Sequence, residues 1–356
     1  MKLSVVIVDY NGKGELEDCF RSVSNQQGVD FKVTVVDNSV DNVGYINGVL
    51  KGMDKSCEYV MGLNYDVVMV EGCLKKLVDF MDTVSIAGVI MPRVMLQSSC
   101  SKINTVESRI HLSGINFCGK LGEKWNGDVQ PKNIAGVSGC CFLIRRELLE
   151  KASPILSDCF MGNDDVVLSW LVRLMGYEIY CVPSAVVYHK YTLKMNPRKF
   201  YEIEKNRVRL LLEVWAISSL LLLSPILLSI EGMIWAYSLL KGSEYMKLKL
   251  MSYKDLNLKL IRARRRQVRA IRVVSDFHMM RVLKKRLEIR QLLGVSVKKR
   301  GGGVMIDNED WRSPYPYRWK WWYVLIAFFA FVAFVWFCLI PWSIKDWVEE
   351  LGRNRT

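Results

Sequence analysis

The sequence predicts an α/β fold in which a parallel sheet is wound with helices, and three observations support this prediction. Residues 3–8, 31–36 and 58–63 are short, largely apolar runs, and each of them ends in polar residues. Helical spacing separates the first run from the second. Strands that are apolar throughout are typical of parallel sheets, because helices cover both of their faces.

The elements follow in order along the first 200 residues. The predicted strands lie at 3–8, 31–36, 58–63, 89–94, 137–145 and 177–188, the last being one strand or two that end at His189, and the predicted helices lie at 15–26 and 166–175. Residues 98–133 are polar and rich in Gly, and they indicate an irregular stretch. After residue 191 the chain becomes basic and helical, so we expect the globular domain to end near residue 200.

Charge is distributed unevenly along the 356 residues. The net charge is +14, whereas residues 241–320 alone hold 22 Lys and Arg against 7 Asp and Glu, which is 22 − 7 = +15. The excess is one block, which argues against a uniformly basic nucleic-acid binder and favours a basic appendage near a membrane. The ten Cys include no CxxC pair, so neither a zinc cluster nor a disulfide framework is indicated, and a reducing cytosol is the simpler setting.

Two segments are long and apolar enough to enter a bilayer. Residues 321–342 carry no charge and have aromatic residues at both ends, which predicts a transmembrane helix. Residues 214–240 are apolar but contain Pro225 and Glu231. A full span there would place the basic block outside, against the positive-inside tendency, so we interpret this segment as interfacial or re-entrant. A true span, which would return the C-terminus to the cytosol, is the alternative.

Acidic residues at the ends of predicted strands are the main candidates for chemistry. The chain has no GxxxxGK[ST] or GxGxxG motif, which removes the main support for P-loop and dinucleotide sites. The parallel-sheet prediction allows four acidic residues to converge at one rim: Asp37, Asp66, Asp164 and Asp165. Convergent carboxylates repel unless a cation holds them, and hard divalent ions choose oxygen ligands. A metal that also binds a diphosphate fits this arrangement.

Six segments, taken in order, resemble the family 2 glycosyltransferases. They are VVIVDYNG (5–12), VVDNSVDN (35–42), GLNYDVV (62–68), GVSGCCFLIRRELLE (136–150), NDDVVLSW (163–170) and GYEIYCVPSAVVYH (176–189). The similarity is to the membrane-associated, rhamnosyltransferase-like group and covers about residues 3–210. It implies a GT-A-type, Rossmann-like wound sheet followed by a helical basic region and a C-terminal transmembrane helix. Lys205-Asn206-Arg207 and the basic stretch 264–276 resemble the C-terminal extension of that group.

The resemblance implies a role for each rim residue. Tyr10 would stack on the base of a nucleotide-diphosphate sugar, with Asp37 and Asn38 beside it, and Asp37 would accept a hydrogen bond from the base. Asn64-Tyr65-Asp66 matches the metal motif, with Asp66 as a ligand of Mn²⁺ or Mg²⁺ and Asn64 in a supporting place. His189 would reach the metal or the diphosphate. A turn Tyr, a strand-end cap and a strand-end His are the structural alternatives.

The acidic pair of the family falls on Asp164 and Asp165. In an inverting transfer, one of these would take the proton from the acceptor hydroxyl, and we expect Asp165 to do so. The alternative is a pair that caps the following helix. The motif is usually Glu-Asp, with a later Asp and Arg, whereas here the corresponding places hold Asp164, Val167 and Leu171. The loss of those later charges bears on acceptor positioning more than on proton transfer.

We therefore predict a membrane-anchored, metal-dependent glycosyltransferase that acts on a lipid-linked or surface glycan acceptor, with its catalytic domain in the cytoplasm. The predicted segments are a glycosyltransferase domain (1–205), amphipathic or re-entrant membrane helices (206–240), a basic helical region (241–318), a transmembrane helix (319–345) and a tail (346–356). The basic helices are expected to contact anionic lipids and not nucleic acid, because RNA binding would need interleaved aromatic residues. The alternative is an inactive GT-A scaffold or a sugar-binding membrane protein.

Overall fold

A computed structural model describes residues 1–191, 195–288 and 291 of the chain. Its strands are β1 (Leu3–Asp9), β2 (Phe31–Asp37), β3 (Tyr59–Asn64), β4 (Val67–Met69), β5 (Ala87–Leu96), β6 (Ser99–Thr105), β7 (Ser108–Ile110), β8 (Asn116–Cys118), β9 (Lys132–Asn133), β10 (Cys141–Arg145) and β11 (Glu178–His189). Its helices are α1 (Lys13–Ser24), α2 (Tyr45–Gly52), α3 (Cys73–Thr83), α4 (Arg146–Leu156), α5 (Asp164–Leu174), α6 (Pro197–Val214), α7 (Ile217–Lys241), α8 (Ser243–Lys254), α9 (Leu258–Ile271) and α10 (Asp276–Val282). The predicted transmembrane helix (319–345), the tail (346–356) and most of the basic region beyond residue 288 lie outside the described residues.

The central sheet is mixed and mostly parallel, with the strand order β2-β1-β3-β10-β5-β11-β4. Strand β1 pairs in parallel with β2 and β3, and β5 pairs in parallel with β11. The predicted parallel sheet is confirmed for β1, β2, β3, β5 and β11, whereas β4, β6, β9 and β10 run antiparallel to their neighbours. Parallel neighbours need a long crossover, usually a helix, whereas residues 97–140 before β10 form short strands and loops.

Strand β1 lies between β2 and β3 and is buried along its whole length. All seven of its residues are buried, and helices lie on both faces of the sheet, as its continuous apolar sequence predicts. Helix α5 is almost entirely buried as well, and Trp170 from its middle packs edge to face against Trp215 beyond α6, with ring centroids 5.4 Å apart. Val167 and Leu171 belong to this core, so the positions where the resembling family carries charges face apolar neighbours here.

Helices α6, α7 and α8 are joined by a buried ion network of four charged side chains. It consists of Glu204 and Arg207 on α6, Glu231 on α7 and Lys249 on α8. The Arg207 guanidinium lies 2.8 Å from Glu204 Oε2 and 2.6 Å from Glu231 Oε2, and Lys249 Nζ lies 2.5 Å from Glu204 Oε2. Each charge is less than 5% exposed, and each has at least two partners of opposite sign. The network therefore fixes α7 against the protein along one side.

Helix α7 is long and apolar enough to cross a bilayer by length and composition. One of its faces is buried and includes Leu220, Leu223, Ile230 and Ile234, while the opposite face exposes Leu221, Leu222, Ile226, Met233 and Leu240. The helix thus has a protein side and an apolar outer side.

Several arginines of the basic stretch bind protein groups. Arg264 forms a two-pronged pair with Asp158, at 2.6 and 3.0 Å. Arg265 donates to the carbonyls of Leu212 and Trp215, and Arg272 donates to the carbonyl of Val214. The last carbonyls of a helix have no partner within the helix, and these arginines satisfy them at the end of α6. At these positions, part of the basic charge stabilises the fold.

Candidate active site

The first part of the rim lies at the ends of β1 and β2. Asp9 and Asp37 are paired in register at these two ends, and the Asn38 backbone N–H donates to the Asp9 carbonyl at 2.8 Å. Buried Asp9 accepts from the Gly12 N–H through Oδ1 at 2.9 Å, which fixes the turn into α1. Tyr10 is 51% exposed, so its ring is open to a ligand.

Asp37 and Asn38 differ in their surroundings. Asp37 is exposed, and hydrogen bonds from Ser39 lower the pKa of its carboxyl group. Asn38 is buried, and its Nδ2 donates to the Gly44 carbonyl at 3.1 Å, while its Oδ1 has no hydrogen-bond partner. Gly44 is at φ +87°, and a Cβ atom there would lie 2.0 Å from the Phe160 carbonyl oxygen, so only Gly fits.

The predicted metal residues meet where β3 leads into β4. Asp66 Oδ1 lies 3.4 Å from His189 Nε2 at the end of β11, and it is buried without a hydrogen-bond partner. The other ring nitrogen of His189, Nδ1, lies 2.8 Å from the Oδ1 of buried Asn104 on β6. Because Asn Oδ1 only accepts, Nδ1–H is the donor in this contact, and the contact turns Nε2 toward Asp66.

The acidic pair begins α5. Asn163 stands at the N-cap position in the left-handed conformation, at φ +60°, and its side chain makes no capping bond. Asn163 is therefore the N-cap residue of this helix, and both Asp164 and Asp165 lie in its first turn. Asp165 Oδ2 accepts from the Gly139 N–H at 3.0 Å, and its Oδ1 accepts from the Val166 N–H at 2.9 Å.

The two carboxyl groups differ in proton affinity for identifiable reasons. Burial, together with the nearby charge of Asp165, raises the pKa of Asp164 to about 7. Burial also raises the pKa of Asp165, but the N–H groups of Gly139 and Val166 oppose this rise because they stabilise the charged form. Asp165 is also the more exposed of the two side chains. The pair thus has one member suited to remain ionised and one that is readily protonated.

Helices α6 and α9 hold the loop that carries this pair. Asn206 Nδ2 donates to the carbonyls of Met161 and Gly162 at 3.2 and 2.8 Å, and Asn163 Nδ2 donates to the Ile203 carbonyl at 3.2 Å. Arg264 of α9 holds Asp158 at the start of the same loop. Residues far outside the sheet therefore set the position of the acidic pair.

A chain of backbone contacts links the metal residues to the acidic pair. Asp165 binds the N–H of Gly139, and the carbonyl of the next residue, Cys140, accepts from the Asn64 N–H at 2.9 Å. Asn64 is two residues before Asp66 and lies beside Val8 of β1 in the sheet register. Asp66, His189 and Asp165 thus lie along one connected edge, and Asn64 joins that edge to the end of β1.

The metal prediction receives partial support from the donor atoms. Among the described residues, no cluster of three or more His, Cys, Asp or Glu side chains is arranged to hold a metal. The partnerless Asp66 Oδ1 beside the free Nε2 of His189 is nevertheless an oxygen and nitrogen donor pair. Such a pair fits a divalent cation whose remaining ligands come from water or a bound phosphate.

Three neighbours of the predicted residues were not anticipated: Asp9, Asn104 and Tyr45. Asp9 ends an apolar strand as Asp37 does, so the pattern of an acidic residue at a strand end also indicated Asp9. Asn104 lies 85 positions before His189, and no local pattern connects the two. The Tyr45 hydroxyl is buried without a partner, and burial raises the pKa of this phenol, with the charges of Asp164 and Asp165 contributing.

Neither a family model nor a curated protein matches the chain. Among solved structures, the chain is similar to GalNAc-T7 with UDP, GalNAc and Mn²⁺, at 17% identity over 60% of this chain and 48% of that one, with a TM-score of 0.47. It is also similar to S. aureus TarS 1–349, at 15% identity over 84% and 93% of the two chains and a TM-score of 0.47. It is similar as well to S. aureus TarS 1–349 in complex with UDP-GlcNAc, at 14% identity over 76% of this chain and 90% of that one, with a TM-score of 0.43. The chain spans about half the length of the GalNAc-T7 chain that it matches. All three TM-scores are below 0.5.

Proposed function

We propose that this chain is a membrane-associated glycosyltransferase. It moves a sugar from a nucleotide-diphosphate donor to a lipid-linked or surface glycan acceptor, and it inverts the configuration of the transferred sugar. The observation that carries the proposal is the placement of Asp66, His189 and Asp165 along one edge of a mostly parallel sheet. The six segments that resemble family 2 glycosyltransferases contain all three residues.

The donor nucleotide binds at the ends of β1, β2 and β3. Exposed Tyr10 stacks on the base, and Asp37 accepts a hydrogen bond from it. The free Oδ1 of Asn38 offers a further acceptor beneath this surface. Asn64 supports the turn that presents Asp66, through the backbone bond to Cys140.

Asp66 and His189 hold the divalent cation, Mn²⁺ or Mg²⁺. When bound, the cation neutralises the charge of the donor diphosphate and of the leaving nucleoside diphosphate. Asn104 orients His189 so that its Nε2 lies beside Asp66, and these two side chains would hold the cation.

Asp165 is the general base of the transfer. As the acceptor oxygen forms its bond to the anomeric carbon, the bond from that carbon to the diphosphate oxygen breaks, and the hydroxyl proton passes to Asp165. The N–H groups of Gly139 and Val166 keep the carboxylate oriented and favour its ionised form before the reaction. Asp164, whose pKa is about 7, is mostly protonated below neutral pH and does not add a second full charge there.

The proposed setting is the cytoplasmic face of the cell membrane. The outer apolar side of α7 and the uncharged run at 321–342 support it. We assign residues 1–205 to the transferase domain and 206–240 to membrane-associated helices. Residues 241–318 form the basic region, and 319–345 form the anchor.

The test is a transfer and donor-hydrolysis assay with a panel of nucleotide sugars, with Mn²⁺, Mg²⁺ or chelator present. The wild type should turn over one donor only with metal. Asp66→Ala and Asp165→Asn should each lower turnover by about 10²- to 10⁴-fold. Asp79→Asn, at an exposed position on α3, is the matched control and should leave turnover unchanged.

The same assay separates the proposal from a sugar-binding protein without catalysis. Buried Val167 and Leu171, in the places of family charges, are the observations that favour this alternative. Saturable thermal stabilisation by a nucleotide sugar, with no turnover in any variant, would establish it. Equal turnover in the wild type and both site variants would overturn the proposed mechanism.

A further inference from the structure

An open cavity of about 620 Å³ lies beside α7, and its described lining residues include none of the rim residues Tyr10, Asp66 or Asp165. It is lined by His111, Pro225, Ile226, Ser229, Ile230, Lys285, Arg286 and Leu287. We refer to it as the α7 cavity. Its volume is within the range of small-molecule sites.

The segment that forms one wall is fixed by backbone pairing. Lys284 N–H donates to the Ile110 carbonyl at 2.8 Å, and Leu112 N–H donates to the Lys284 carbonyl at 3.3 Å. Glu288, four residues after Lys284, forms an ion pair with Arg109, with 2.5 Å between Oε1 and Nη1. Lys285 and Arg286 therefore lie on a segment beside α7 that is anchored at Lys284 and Glu288.

The lining of the cavity has two chemical parts. Pro225, Ile226, Ile230 and Leu287 provide an apolar surface, and Lys285 and Arg286 are exposed cations at the same opening. None of the described residues that line the cavity is Asp or Glu. An apolar wall next to two cations complements a molecule that has an apolar tail and an anionic head.

The apolar wall continues along the outer side of α7. Ile226, which lines the cavity, is 44% exposed, and Leu222, one helical turn before it, is 72% exposed. The ion network at Glu231 holds the opposite side of the helix against the protein. A helix that is fixed to protein on one side and apolar on the other is suited to lie in the membrane interface, with its outer side toward the acyl chains.

We propose that the α7 cavity binds one membrane lipid with a phosphate monoester head. Lys285 and Arg286 bind the phosphate, and the tail lies along Pro225, Ile226 and Leu287. This site is separate from the rim, and lipid binding does not require sugar transfer.

The test uses the full-length chain purified in a neutral detergent and measures binding by calorimetry. The probes are dihexanoyl phosphatidic acid, dihexanoyl phosphatidylcholine and inorganic phosphate. Phosphatidic acid should bind at one site, at least tenfold more tightly than either of the other two. Equal binding of phosphatidylcholine would overturn the role of the cations, and equal binding of inorganic phosphate would overturn the role of the apolar wall.

Variants assign the binding to this cavity. Lys285→Glu combined with Arg286→Glu, and separately Ile226→Asp, should each weaken phosphatidic acid binding at least tenfold. The matched controls are Lys254→Glu combined with Lys259→Glu, and Leu250→Asp, all at exposed positions on α8 and α9, and they should stay within twofold. Cavity variants that bind like their controls would overturn the proposal.

Two further measurements distinguish a loss of lipid binding from a failure to fold and from a loss of nucleotide-sugar binding. If the charge reversal fails to fold, Lys285→Gln combined with Arg286→Gln replaces it, with the same tenfold expectation. Thermal stabilisation by the preferred nucleotide sugar should be the same in the wild type and the cavity variants, so a failure of lipid binding is distinguishable from a failure of the proposed transferase.

Discussion

The rim of the sheet and the buried ion network both concentrate charged side chains, but they differ in how those charges are satisfied. In the network, Arg207 and Lys249 each lie against both Glu204 and Glu231. At the rim, Asp66 Oδ1 and Asn38 Oδ1 are buried without hydrogen-bond partners. Buried polar atoms are nearly always paired in native proteins. The network is therefore paired within itself and stabilises the fold, whereas the rim keeps two unpaired acceptor oxygens for the proposed ligand.

The largest expected effect comes from breaking the network. Arg207→Met leaves Lys249 as the one cation that pairs with both Glu204 and Glu231 among the described residues, and the loss of one partner from a buried charge cluster costs about 3–5 kcal/mol. The melting temperature should fall by on the order of 10 °C. Arg21→Met removes an exposed pair on α1 and is the control, with a change of less than about 1 kcal/mol. Similar melting temperatures for the two variants would contradict the assigned role of the network.

The second effect concerns the orientation of His189. Asn104→Ala removes the acceptor on Nδ1 and should weaken Mn²⁺ binding about 10- to 100-fold, as loss of such supporting groups does elsewhere. Bound Mn²⁺ is counted by electron paramagnetic resonance, which does not depend on turnover. Asn116→Ala, which removes a bond to Ser108 on the neighbouring ribbon, should leave Mn²⁺ affinity unchanged. Equal affinity in both variants would show that Asn104 does not act on the metal site.

A third effect is a dependence of stability on pH. The pKa of Asp164 is about 7 in the folded chain, and about 3.9 is expected in the unfolded chain. Between these values the folded state holds a proton that the unfolded state releases, so the free energy of unfolding should fall as pH rises from about 4 to 7 and then level off. Asp164→Asn should remove this part of the slope in melting curves recorded between pH 5 and 8. Parallel curves for the variant and the wild type would exclude the raised pKa.

The smallest expected effect is the change in the free energy of unfolding when Asp66 at the rim is substituted. Asp66→Asn should change the free energy of unfolding by less than about 0.5 kcal/mol, because the Asp66 Oδ1 has no partner to lose. Asp82→Asn is the contrast, since Tyr59 donates to its carboxylate at 2.7 Å and Lys2 binds it at 2.9 Å. It should cost about 1 kcal/mol in denaturant unfolding. A larger loss for Asp66→Asn than for Asp82→Asn would show that Asp66 has a structural role.

The sequence predicted the parts of the fold whose signal is local. The run at 3–8 is the fully buried β1, and the polar residues that follow 31–36 and 58–63 lie at the rim as expected. These signals work because the apolar content of a strand reports burial on both faces. The reversed direction of β10 was missed, because no residue in 137–145 records which neighbours the strand will take.

Contacts between segments that are distant in the chain could not be predicted from local sequence patterns. Asn104 and His189 meet only because β6 returns antiparallel to β5. The basic pattern at 262–272 was interpreted as a lipid-facing surface, yet Arg264 and Arg265 bind Asp158 and the end of α6. A helical period identifies one face of a helix, but it does not say whether solvent, lipid or an orphan carbonyl lies opposite.

The bond between Arg264 and Asp158 joins residues 106 positions apart, and this separation has a consequence during translation. The strands of the rim leave the ribosome long before α9 does, and nascent domains begin to fold as they emerge. The segment before the acidic pair therefore lacks its clamp until the basic helix has been made. We expect a nascent or truncated chain that stops before residue 258 to assemble the sheet without the bond between Arg264 and Asp158, so that α6 alone holds the loop that carries the acidic pair.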